Sequence, residues 1–152
     1  TTLFRSDICQ KEFSGVIKDY YILTPLSNET MTIFVPVNNK LLTNRIKRIL
    51  SKGEICDLIT TASSKPINWI IDDNERKEHY RTILSSGNRL EILNMIRELY
   101  IHKQEQLKNG KKMHLSDEQL MKEAERLLYS EFSLVLNIRA DEVPKFISSR
   151  IN

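Results

Sequence analysis

The chain has 152 residues, 40% of them hydrophobic and 28% charged, with a formal net charge of +3. That length fits one domain or two small ones, and no run approaches the roughly 18–20 apolar residues of a membrane span. Residues 1–63 carry eight Lys/Arg against six Asp/Glu, and residues 64–152 fifteen against fourteen, so neither part has the positive excess on which autonomous nucleic-acid binding rests.

The opening Thr1-Thr2-Leu3-Phe4 shows no initiator Met and no signal-peptide pattern. It reads as the middle of a strand, so residues are expected ahead of it. Ile17–Thr24 and Thr30–Val37 are β-rich. In the second, Met31, Ile33 and Val35 alternate with Thr32 and Phe34 on the other face. Pro25 and Ser27-Asn28-Glu29 lie between them, so the pair is expected as a hairpin. Pro36 removes a ladder donor and marks a strand end or sheet edge. Ile46-Lys47-Arg48-Ile49-Leu50 is expected as a closing strand, giving four or five strands in a small bent sheet or barrel.

Ser51-Lys52-Gly53-Glu54 has capping-box spacing and opens a short helix with Ile55, Leu58 and Ile59 on one face. Ala62–Pro66 is expected as a linker. A helix follows from Asp73 to about Leu84, closed by Ser85-Ser86-Gly87. Another over about 88–107 aligns Ile92, Met95, Ile96, Leu99 and Tyr100. Asn109-Gly110-Lys111-Lys112 is a loop. Ser116-Asp117-Glu118-Gln119 has capping-box spacing again, ahead of a long helix turning Leu120, Ala124, Leu127, Leu128, Phe132 and Val135 inward. A last helix, about 141–151, is expected to bury Val143, Phe146 and Ile147, with Pro144 tolerable only in its first turn. The fold class is α+β: residues 1–50 a β-rich domain, 51–66 a short helix and linker, 67–152 a helical domain.

Catalytic templates find no match. The four glycines are scattered, so no phosphate-cradling loop exists. His79, His102 and His114 share no metal-ligand spacing, and Cys9 and Cys56 form no CxxC; the cysteines read as reduced core thiols of a cytoplasmic protein. Glu98 with His102 and Glu118 with Lys122 read as helix-face pairs. No enzyme, metal or cofactor is expected. A thiol or metal enzyme would need Cys and His side chains converging in one cleft.

Binding features remain. Trp69 is the only tryptophan, placed where β-rich sequence gives way to helical sequence; it either packs between domains or stacks on a partner. Arg76, Lys77 and Arg81 follow it, with Arg89 and Arg97 further on. A second basic group, Lys103, Lys108, Lys111, Lys112 and His114, surrounds a helix end.

The order of segments resembles the CarD family of bacterial transcription regulators. The segments are Asp19-Tyr20-Tyr21-Ile22-Leu23, Ile33-Phe34-Val35-Pro36-Val37-Asn38-Asn39, Ile49-Leu50-Ser51-Lys52-Gly53-Glu54-Ile55, Ser86-Gly87-Asn88, Met95-Ile96-Arg97-Glu98-Leu99-Tyr100 and Ala124 through Ile138. The resemblance implies that residues 1–50 form a Tudor- or SH3-like barrel, shared with transcription-repair coupling factors, whose first strand lies ahead of Thr1. That barrel would dock by a strand edge on the RNA polymerase β subunit, through Met31, Thr32, Ile33, Phe34 and Pro36. The helical domain would contact promoter DNA at the upstream fork of the transcription bubble. Trp69 would be a minor-groove wedge and Arg76, Lys77 and Arg81 the phosphate contacts, modulating open-complex stability. The alternative is a polymerase-binding adaptor whose helical domain contacts another protein and not DNA. An absent first strand would leave a sheet edge open to a domain-swapped dimer. Such a regulator would sit in the cytoplasm, on the nucleoid through polymerase. In the family a basic pair follows the tryptophan almost at once; here Ile70-Ile71-Asp72-Asp73 intervenes.

Overall fold

The computed structural model describes residues 4–26 and 30–151, in two compact units that divide between Leu50 and Ser51. The first is a three-stranded antiparallel meander: β1 (Phe4–Phe13), β2 (Val16–Pro25) and β3 (Ile33–Pro36). Ser14 and Gly15 join β1 to β2, both with positive φ (54° and 77°). Two left-handed residues in a two-residue loop match the right-handed twist of the flanking strands, so the turn fixes the register from Phe13 opposite Val16 through to Phe4 opposite Pro25. The expected pairing of the second and third segments is present, with Tyr21 opposite Val35 and Leu23 opposite Ile33. The turn residues 27–29 lie outside the described residues.

Period-two alternation sorts this sheet. Leu23 and Val35 are buried on one face. On the other, Phe34 is exposed with the Lys11 ammonium 3.4 Å from its ring centre, and Phe13 meets Tyr20 edge-on.

The expected closing strand does not form. Asn39 caps a short helix, α1 (Lys40–Thr43), through its side chain to the Leu42 amide, and residues 46–50 are irregular. On a strand Ile46 and Leu50 would share one face and Ile49 would fall on the other, with Lys47 and Arg48 between them, so the segment lacks a clean apolar alternation. The described strands make a three-stranded antiparallel sheet, which by itself does not establish the expected Tudor- or SH3-like barrel.

The second unit is helical: α2 (Lys52–Ser64), α3 (Asp73–Ser86), α4 (Arg89–Lys108), α5 (Leu115–Leu136) and α6 (Val143–Ile151), the last after a 3-10 turn at Ala140–Glu142. The α2 capping box forms in full: Ser51 Oγ accepts from the Glu54 amide, and Glu54 Oε2 from the Ser51 amide. The expected short helix is present as α2, which runs on through Ser64 into the expected Ala62–Pro66 linker, packs against α4, α5 and α6 and buries Ile55, Ile59 and Ala62. Gly87 ends α3 in the left-handed conformation, and Asn88 caps α4.

The second expected capping box does not form. Helix α5 begins at Leu115, with His114 at its cap position and no side-chain cap bond, so Ser116 falls inside the first turn and bonds His114 Nδ1. The core gathers Tyr80, Met95, Leu99, Leu128 and Phe132, all buried. Leu127 and Val135, expected inside, are half-buried, as are Phe146 and Ile147 of α6.

Candidate nucleic-acid interface

Residues 65–72 connect α2 to α3 without regular structure. Pro66 disfavours helical backbone at the residue before it, and Lys65 is extended (φ −76°, ψ 142°). At the far end Asp72 caps α3, its Oδ1 accepting from the Glu75 amide at 2.8 Å. Between these ends, side chains of α3 and α4 tie the backbone down. Arg97 Nη1 donates to the carbonyls of Ala62 and Lys65. The Asn68 amide donates to Glu98 Oε1 at 3.3 Å, and Arg76 Nη1 donates to the carbonyls of Ile70 (2.9 Å) and Ile71 (3.3 Å). Trp69 thus sits between neighbours that are each pinned.

The anchors are themselves anchored. Arg76, only 3% exposed, makes a bidentate pair with the buried Asp117 of α5: Nε to Oδ1 at 3.0 Å and Nη2 to Oδ2 at 2.8 Å. Its Nη2 also reaches Asp73 at 2.6 Å. Burial alone would lower the Arg76 pKa, but the hydrogen bonds from Asp117 and Asp73 more than offset it and raise it. The Arg76 hydrogen bond in turn holds the Asp73 carboxyl below the usual range. Glu98 also accepts from the buried Tyr80 hydroxyl at 3.1 Å, and burial with the Glu98 charge beside it pushes the Tyr80 pKa up.

The Trp69 indole stacks on His102, centroids 3.7 Å apart and planes 13° from parallel, with the Arg76 guanidinium 4.6 Å from its centre. Burial holds His102 below its ordinary range, reinforced by the Arg76 cation against the pull of Asp117 and Glu105. The imidazole stacked on the indole is therefore neutral at pH 7. Trp69 is half-buried as a residue. Two residues on, Ile71 is 87% exposed.

The residues expected as phosphate contacts separate here. Arg76 is withdrawn from that role: its donors are spent on two carboxylates and two carbonyls, and it acts by positioning the link that carries Trp69. Lys77 and the exposed Arg81, one turn apart on α3, line a cleft of about 380 Å³ with Ser116 and Glu123 of α5. Arg89 pairs with the buried Glu131 at 2.7 Å, so it too is structural. Glu98 and His102 do not pair on a helix face: Glu98 turns inward to Tyr80 and Asn68, and His102 lies against Trp69. In the β unit Met31, Thr32 and Phe34 are exposed, while Ile33 and Pro36 are half-buried. Among the described residues no three His, Cys, Asp or Glu side chains are placed to hold a metal ion, and no helix is long and apolar enough to cross a membrane.

The family model described as "CarD, C-terminal domain" matches residues 54–148. The chain belongs to the CarD family. No curated protein is similar enough to match it. The matched stretch runs from the first turn of α2 into α6 and contains Trp69 and every side chain that pins its link. Membership makes the chain an RNA polymerase-associated transcription factor, in a family of regulators and not of known enzymes.

Sequence reading missed His102, Glu98, Asp117 and Ile71 as parts of the Trp69 site. Only the four-residue spacing of Glu98 and His102 gave a signal, and it pointed to the wrong partners.

Proposed function

We propose that this CarD-family chain binds the RNA polymerase β subunit through its β unit and contacts promoter DNA at the upstream fork of the bubble through its helical unit. The reading rests on one observation above the rest. A half-exposed indole is carried on a link whose backbone is tied on both sides of it by Glu98 and Arg76. A wedge that opens a base step must be held stiffly enough to transmit the strain, and such pinning provides it.

Trp69 is the wedge, Lys77 and Arg81 hold phosphates, and His102 and Arg76 set the ring's orientation. The helical part is near neutrality, so its DNA contact is weak alone and depends on tethering by polymerase. On the β unit the outer edge of β3 is unpaired among the described residues. It can accept a strand of the partner, with Met31, Thr32 and Phe34 exposed beside it and Ile33 and Pro36 completing the strand. The outer edge of β1 offers the same chance to a second copy, as a domain-swapped dimer. The place of action is the cytoplasm, on the nucleoid.

Gel shifts with forked promoter DNA test the DNA contact. With polymerase present, the wild-type chain should strengthen the shifted complex and Trp69→Ala should abolish the gain. An unchanged gain in the variant refutes the wedge.

A second reading has its own support. Asp72, Asp73 and Glu75 expose carboxylates beside Ile71, a surface that suits a basic, apolar protein segment better than phosphate. In that adaptor the same gel shift shows no DNA dependence on Trp69, and charge reversal at Asp72 and Glu75 weakens capture of the protein partner.

A further inference from the structure

The link that carries Trp69 does not account for a cavity of about 500 Å³ where α2, α4, α5 and α6 converge. Its floor is apolar: Leu93 and Ile96 from α4, Met121 from α5 and Ile147 from α6. Tyr100 and Tyr129 add two rings, and Tyr100 is largely exposed at the mouth. A cleft of this size and lining is in the range that takes small molecules, about 300–1,000 Å³. A docked recognition helix would instead need an extended groove along several turns.

The polar groups around the opening are unbalanced. Arg97, Lys103 and Lys145 contribute three cations against the single carboxyl of Glu125. Arg97 spends Nη1 on the Ala62 and Lys65 carbonyls. Lys145 makes no ion pair among the described residues, and Lys103 acts on Glu125 only from a distance. Burial raises the Glu125 pKa, with Lys103 and Lys122 opposing. Burial likewise keeps the Tyr129 hydroxyl protonated, so it is a donor at neutral pH.

We propose that this cleft binds a small amphipathic anion, an alkyl or aryl carboxylate, with its apolar body on Leu93, Ile96 and Met121 and its head among Arg97, Lys103 and Lys145. The charge surplus selects the sign of the head and the apolar floor selects the body. A neutral oil gains nothing from the rim, and an alkylammonium meets three like charges.

The test uses the full chain and the fluorescent fatty acid 11-(dansylamino)undecanoate, displaced by dodecanoate or by dodecylammonium below their micelle concentrations. One saturable site per chain is expected, with dodecanoate about tenfold the better competitor. Lys103→Glu combined with Lys145→Glu should weaken the probe by about tenfold without moving the thermal melt. If that double variant melts differently, Lys145→Glu alone, on the exposed side of α6, carries the same comparison. Absence of saturable binding, equal displacement by the two competitors, or unchanged affinity in the charge-reversed variants overturns the proposal.

Discussion

Arg76 holds its place through a fork of donors matched to the two oxygens of Asp117, in a setting where neither residue meets water. Such a pair adds little over an apolar replacement, yet breaking it strands a charge in the core. Asp117→Ala should therefore cost about 3 kcal/mol, measured as a lower urea midpoint, and release the link, seen as a red shift of Trp69 emission. Arg76→Lys should fail to restore either property, because an ammonium cannot reproduce the bidentate geometry. His102 adds a pH dependence. Burial holds its folded-state pKa below the ordinary imidazole value of about 6.5, so as pH falls the unfolded chain takes up the proton first. Stability should decline as pH drops through about 6.5 and level off below the folded-state pKa; His102→Gln should flatten this decline in urea midpoints against pH. At this scale the sequence was legible only in part. Trp69 stands out as a lone tryptophan, but a basic run cannot say which cation faces water. Arg76 and Lys77 are neighbours in sequence, and the hundred-degree helical step sends one into the core and the other to the surface.

Helices were legible where local chemistry decides their ends. The Ser51–Glu54 box and the Ser85-Ser86-Gly87 stop form as their spacing dictates. Ser51→Ala should cost about 1 kcal/mol, checked by chemical denaturation of the full chain. The box expected at Ser116 does not form: α5 starts at Leu115, which places Ser116 inside the first turn beside Asp117, whose carboxylate pairs with Arg76. In the β unit, the alternation of Met31, Ile33 and Val35 with Thr32 and Phe34 separates the two faces of the strand, and of these residues Val35 alone is buried. The first hairpin is hard to read from sequence although Ser14-Gly15 is a two-residue turn, since the flanking strands alternate weakly. With Gly15 at φ 77° and nothing within 4 Å of an added Cβ, Gly15→Ala is strained by backbone alone. It should lower the stability of the β unit by about 1 kcal/mol, read by hydrogen exchange in β1 and β2.

The whole molecule is two units with different tasks: an open sheet that presents strand edges and exposed aromatic residues, and a helical bundle that holds one link rigid. The α+β class and the order of the units were legible from periodicity. The described strands make a three-stranded sheet, and the expected closing strand over residues 46–50 is irregular. The acids at positions 72 and 73, which interrupt the family's basic pattern, find structural employment: Asp72 caps α3, and Asp73 completes the shell of Arg76. Their presence therefore does not by itself displace Trp69 from the fork.

The most direct measurement places 2-aminopurine at the upstream edge of a promoter bubble and follows its fluorescence and the open-complex lifetime with polymerase and the full chain. The wild-type chain should raise the fluorescence, as a base is unstacked, and change the lifetime. Trp69→Ala should lose both effects while still binding polymerase. Equal fluorescence and lifetime with the wild-type and Trp69→Ala chains would contradict the account.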